Sequence, residues 1–233
     1  MFTQFDQRLS QGLEGAKWLA IVLMALSHSG MATGGEMTWP AFWLGRLCAP
    51  IFCFIIVARL SEKPPERSIR YLIRLSAWGI PAQIPFYLWT KAFGFHFNVL
   101  ITLALGVAAI WLWIRGYRIV ALLFSAGVLA AAMIVDRGLI ASPIMLIGYL
   151  LYRRSALLTA VAISASYAAL PFFVRPEDLL APALCMATPL VILLCGFLPA
   201  TPIRLPGWFF YGFYPVHLAL IFLIFGPCPP IEG

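Results

Sequence analysis

Long apolar runs broken by short polar or proline-bearing links repeat along almost the whole chain. The runs cover residues 17–32, 40–60, 69–89, 99–114, 119–135, 139–152, 156–173, 179–198 and 208–225. Each reads as a helix, and about twenty apolar residues are needed to cross a hydrocarbon layer of about 30 Å. The pattern therefore predicts an all-α polytopic membrane bundle of about nine transmembrane helices. The links carry the helix stops: ATGGEMTWP, SEKPPERS, KAFGFHFN, PATPIRLPG and the basic turn Arg115-Gly-Tyr-Arg118. Residues 1–16 are polar and read as a short interfacial segment, and the tail 226–233 (GPCPPIEG) cannot continue a helix. The stretch between them, 17–225, reads as a single transmembrane domain. Pro81 and Pro85 interrupt the third run, which predicts a kink or an early end there. Several runs are short or broken by proline. Such helices are tolerated where neighbouring protein or a water-filled cavity satisfies the freed backbone, so a polar cavity is expected inside the bundle.

Composition agrees with this pattern. The chain has 233 residues, 62% hydrophobic and 11% charged, against about 45–50% and 25% in soluble domains. A formal net charge of +7 does not call for nucleic acid, because basic residues collect in cytoplasmic loops. With the N-terminus inside and the C-terminus outside, only Arg46, Lys91, Arg137 and Arg175 of the sixteen basic residues face outward, the asymmetry that the positive-inside rule requires. The first run is read as a spanning helix rather than a cleaved leader, because its apolar centre contains His28 and little basic charge precedes it. No internal repeat points to a transporter of inverted halves. The five cysteines have no C-x-x-C spacing and read as small core residues. No metal motif, serine elbow or glycine-rich phosphate loop occurs, so no metal is expected.

The chemistry lies where ionisable groups enter the apolar runs. Lys17 and His28 are eleven residues apart, hence within about 20° on one helix face and about 16 Å apart along it. If Lys17 marks the inner surface, His28 lies near the midplane, where an ionisable group is costly enough to suggest function. A buried histidine that merely bonds to a neighbouring helix is the plainer alternative. His217 falls at a similar depth in the last run, with Tyr214 and Tyr211 on the same face and Pro215 beside them. Two such imidazoles can meet across a bundle. Either tyrosine can instead be an interfacial aromatic. Arg46 must reach water or a partner, and Gly45 next to it allows a close approach. Asp136 is a candidate counter-charge for it or a turn residue paired with Arg137. Asn98 and Thr102 face the same way on the fourth helix, although Asn98 also reads as a helix cap. Arg67, Arg70 and Arg74 share one helix face and suit a polyanion such as a nucleotide phosphate, or acidic lipid headgroups.

The ordered pieces LSHSG, GRLCAPIFCF, RYLIRL, QIPF, NVLITLALG and FYPVHL resemble the TraX family of conjugative pilin acetylases, which includes the TrbP proteins of broad-host-range plasmids. The match runs from about Lys17 to Leu220. The first helix is also similar to that of wider membrane acyltransferases, in which a basic residue, ten others and a histidine recur. The resemblance implies an acetyl-CoA-dependent acyltransferase of the bacterial inner membrane, acting on a pilin N-terminus or another membrane or periplasmic acceptor. In that scheme Lys17, Arg67, Arg70 and Arg74 hold acetyl-CoA as co-substrate. Asn98, Thr102 and Asp136 line the substrate path. His28 is the general base, and His217, Tyr214 or Arg46 stabilises the oxyanion. Ser27 stands where the family pattern leads one to expect an acid. The alternative is a non-enzymatic membrane component or small transporter of a conjugation or secretion apparatus, with His28 and His217 as a proton relay or hydrogen-bond pair.

Overall fold

The computed structural model describes residues 11–33, 44–62, 64–90, 96–134, 137–172, 180–197 and 207–228. The described residues form helices and no strand. The helices are α1 (Leu13–Ala32), α2 (Cys48–Ser61), α3 (Glu66–Thr90), α4 (Val99–Ile114), α5 (Arg118–Ile134), α6 (Ala141–Tyr152), α7 (Ala156–Phe172), α8 (Leu180–Met186), α9 (Thr188–Cys195) and α10 (Gly207–Phe225). Short 3-10 turns, Gly45–Leu47 and Arg137–Ile140, lead into α2 and α6. Trp208–Phe225, with 18 residues and mean hydropathy 1.8, is long and apolar enough to cross a membrane. Four others, within α4, α5, α6 and α7, are apolar but shorter.

Proline placement explains most of the boundaries. Pro50 and Pro143 sit in the first turns of α2 and α6, where the missing N–H has no helical partner to lose. The run 179–198 is two helices, not one. Pro189 removes the bond that would continue α8, and the chain restarts with that proline in the first turn of α9. The expected early end in the third run does not occur. α3 continues through Pro81 and Pro85 for 25 residues, tied just before Pro81 and between the two prolines to the segment that leads into α4. Gln83 Nε2 donates to the His96 carbonyl at 2.7 Å, and Asn98 Nδ2 donates to the Gly79 carbonyl at 2.8 Å. The basic turn after α4 depends on Gly116, whose φ of +88° is strained for any residue with a side chain.

The chain divides into two compact units. The first contains α1 as far as Ser27, α2, α6 from Ile147, α7, α8 and α9. Its core is formed by Ile51, Phe54, Val57, Ile163 and Ile192, all at most 1% exposed. Backbones meet closely at glycines. A Cβ on Gly12 would lie 2.1 Å from the Ile192 carbonyl oxygen, and one on Gly45 would lie 2.4 Å from the Ser27 side chain. The close approach suggested by Gly45 is therefore made, by the first helix. Tyr152 donates to Glu62 Oε1 at 2.6 Å.

The second unit contains the last turn of α1 from His28, then α3, α4, α5, the start of α6, and α10. α3 and α4 pack antiparallel, with Gly79 against Leu100 and Ile101. α10 runs along α3 in the same direction. Gly212 lies under the Trp78 ring, and further along the Cys228 N–H donates to the Trp89 carbonyl at 2.7 Å. The tail is thus tied down as far as Cys228, whose Sγ also donates to the Met31 carbonyl at 3.5 Å. Burial pushes that thiol up to about 11, so it stays protonated and able to donate.

Candidate functional site: a histidine pair

α1 brings His28 and α10 brings His217 to the same place in the second unit. His28 Nδ1 and His217 Nε2 are 2.8 Å apart. The ring planes differ by 5° and the centroids are 5.1 Å apart. That separation exceeds the N···N distance by about two ring radii. The imidazoles therefore meet edge to edge in one plane, with the bond along the acceptor lone pair.

The partners assign the protons. His217 Nδ1 is 2.9 Å from the Phe213 carbonyl oxygen one turn back on α10. A carbonyl only accepts, so His217 carries its proton on Nδ1. With both rings neutral, its Nε2 is then an acceptor and His28 Nδ1–H must be the donor. The remaining nitrogen, His28 Nε2, holds a lone pair. The pair is directional: His28 donates to His217, which donates to the backbone. This arrangement fixes the tautomer of His28 and presents one basic nitrogen. It also leaves neutral His217 no N–H to offer an oxyanion.

Aromatic rings enclose the pair. Trp89, at the end of α3, meets His28 edge-on at 5.1 Å and 64°, and Tyr214 meets it at 6.2 Å. Phe213 lies face to face with His217 at 4.9 Å. Tyr214 is 2% exposed, and its hydroxyl oxygen faces the Val99 backbone N–H at the start of α4. His217 is itself 7% exposed, while His28 is half-buried.

The other sequence candidates divide among different roles. Asn98 is fully buried, and its amide is consumed by structure. Its oxygen caps α4 by accepting from the N–H groups of Leu100 and Ile101, and its nitrogen donates to Gly79 and Gln83. The Thr102 hydroxyl donates to the Val99 carbonyl of its own helix. Arg67, Arg70 and Arg74 are exposed on the first half of α3, and Arg74 lies within electrostatic reach of Tyr211. Lys17 shares α1 with His28 but belongs to the first unit, where Glu14 bridges it to Arg59. Arg46 is also in the first unit, and its carbonyl accepts from Cys185 Sγ. Asp136 lies outside the described residues. Sequence reading passed over Trp89, which looked like the end of an apolar run, and Gln83, whose role depends on the partner that α4 supplies. Neither carries a local signal.

A family model described as "TraX protein" matches residues 12–225. The chain belongs to the TraX family. A curated relative, the probable fimbrial assembly protein FimC of serogroup H1 from Dichelobacter nodosus, is 31% identical over 239 aligned residues, covering 88% of this chain and 92% of FimC. No solved structure matches. Within this TraX chain the matched region includes both histidines and all the rings around them.

Proposed function

We propose that this protein is an integral membrane acyltransferase that moves an acetyl group from acetyl-CoA to an amine or another acceptor, the N-terminus of a pilin being the leading candidate. The observation that carries this reading is the tautomer-fixed histidine pair, which leaves His28 Nε2 a lone pair while Trp89 and Tyr214 pack against the His28 ring. The family and the name of the fimbrial relative support a pilus or conjugation setting. The proposal includes about nine membrane crossings in the bacterial inner membrane, with the N-terminus inside and the C-terminus outside, as the basic-residue asymmetry suggests.

In this scheme the acceptor N–H or O–H bonds to His28 Nε2. As the nucleophile attacks the thioester carbon, the C–N or C–O bond forms and the proton passes to Nε2. The resulting imidazolium donates more strongly through Nδ1–H to His217. Collapse of the tetrahedral adduct breaks the C–S bond, and the proton on His28 Nε2 passes to the departing thiolate. Arg67, Arg70 and Arg74, in the same unit and exposed, are the candidates for the CoA phosphates. A proton relay fits less well, because the chain of N–H donors ends on the Phe213 carbonyl, which hands no proton onward.

Mass spectrometry of pilins and membrane peptides from cells with and without the protein tests the reading. A peptide heavier by one acetyl group only when the protein is present is the expected result. Absence of any acetylated peptide, together with no binding of CoA at millimolar ligand, would overturn it.

A further inference from the structure

Among the described residues, one of the two aromatic rings packed against His28 carries a donor with no partner. Trp89 is 1% exposed, and its indole N–H has no hydrogen-bond partner among the described residues. Leaving a buried donor unmade is costly, and native cores satisfy nearly all such groups. Other orphaned polar atoms exist, but Trp89 is the one whose ring touches the histidine pair. The nitrogen belongs to the ring centred 5.1 Å from the His28 ring. The position is held twice. The Trp89 carbonyl accepts from Cys228, and Cys228 Sγ in turn holds the Met31 carbonyl, three residues past His28. One tail residue therefore anchors the end of α3 and the end of α1 together.

We propose that the Trp89 indole N–H receives the carbonyl oxygen of the acyl group presented at His28. This rests on the acyltransfer reading above. Acyl transfer brings two polar needs to one point: a proton leaving the nucleophile and a carbonyl oxygen gaining charge. His28 Nε2 meets the first as an acceptor. The second needs an N–H or O–H donor. His217 has none to spare, so the donors left against the His28 ring are the Trp89 N–H, which has no partner among the described residues, and the Tyr214 O–H, whose oxygen accepts from the Val99 N–H. Trp89 adds a rigid, water-excluded donor, strongest when the oxygen turns anionic. As the nucleophile bonds to carbon, the C=O π pair moves onto oxygen and the indole N–H bonds to it. When the pair returns, the C–S bond breaks and the thiolate takes the proton from His28.

The test replaces the N–H and little else. In full-length protein in lipid nanodiscs, Trp89→benzothienylalanine keeps the bicyclic shape and puts sulfur in place of the N–H, and Trp89→Phe removes the donor with some volume. With acetyl-CoA and a synthetic peptide bearing a free pilin N-terminus, the isostere is expected to lower kcat about 100-fold. For the isostere the Kd for CoA is expected to stay at its wild-type value and the melting temperature to hold or rise, because no existing bond is lost and an unpaired buried donor is removed. A kcat within twofold of wild type overturns the role of Trp89. An inactive wild-type protein overturns the acyltransfer reading itself, so the two failures are distinct. A measurement on unsubstituted protein stands beside these. One exchange-protected indole resonance is expected to move downfield when acetyl-CoA saturates the protein, and no indole shift at saturation counts against the proposal.

Discussion

Replacing His217 by phenylalanine asks whether the histidine pair acts as a unit. The His28–His217 bond is in plane at 2.8 Å. While both rings are neutral it is worth about 0.5–1.5 kcal/mol, rising to about 1.5–3 kcal/mol once His28 takes a proton. The difference, about 1–1.5 kcal/mol, exists only as the transition state forms, and it corresponds to about a tenfold loss in kcat. His217→Phe also leaves the His28 Nδ1–H unpaired, at a cost of about 1 kcal/mol in stability because His28 is only half-buried. His217→Gln separates the two roles. Its amide oxygen can accept from His28 Nδ1–H, so it is expected to restore stability and most of kcat. The assay is release of CoA thiol from acetyl-CoA in nanodiscs containing the acceptor, with melting followed on the same samples. A His217→Phe variant with wild-type kcat refutes the unit. A His217→Gln variant as slow as His217→Phe refutes the idea that His217 acts by orienting its neighbour.

His28→Ala is expected to abolish transfer while the helix stays formed, checked by circular dichroism, since alanine is the strongest helix former. Asn98→Ala removes a cap and two cross-helix bonds at once and is expected to lower stability by about 2–4 kcal/mol, measured by denaturant or thermal melting. Gly12→Ala pushes a Cβ to 2.1 Å from a backbone oxygen, whereas Gly106→Ala meets the flexible Met145 Sδ at 2.5 Å. The first is therefore expected to destabilise by about 1–3 kcal/mol and the second by less, in the same melting assay. Glu14 gives a pH signature. Burial raises its pKa, but Lys17 and Arg59 outweigh burial and hold the carboxyl below its ordinary 4.5. Its contribution is thus fully present above that value and disappears as the pH falls through the lower folded value, so Glu14→Gln should flatten the acid limb of a stability profile.

Much of the helical pattern could be read from the order of residues. The fourth run, 99–114, matches α4 residue for residue, because Asn98 supplies a local cap and Gly116 a local stop. Breaks were harder to place. Pro189 divides one run in two while Pro81 and Pro85 leave α3 whole. The difference is tertiary. α3 is braced through Gly79 and Gln83 by the cap of α4, and no intrinsic helix propensity encodes that brace. The site shows the same contrast. An imidazole deep in an apolar run is visible at once as a costly group, so His28 and His217 stood out. Trp89 did not, because a tryptophan at the end of an apolar run looks the same whether or not its N–H is bonded.

The chain by itself determined that helices dominate, where most of them end, which family motifs it carries, and which two histidines fall inside apolar runs. These follow from local forces: apolar length, caps, glycine turns and proline's missing donor. The tertiary structure alone decided that the two histidines meet in one plane, which nitrogen keeps its lone pair, that Asn98 is used up as a cap and clamp, and that Trp89, packed against His28, has no partner for its N–H among the described residues. A hydrogen bond's direction depends on what its partner can accept. That partner sits on another helix, 189 residues away in the chain.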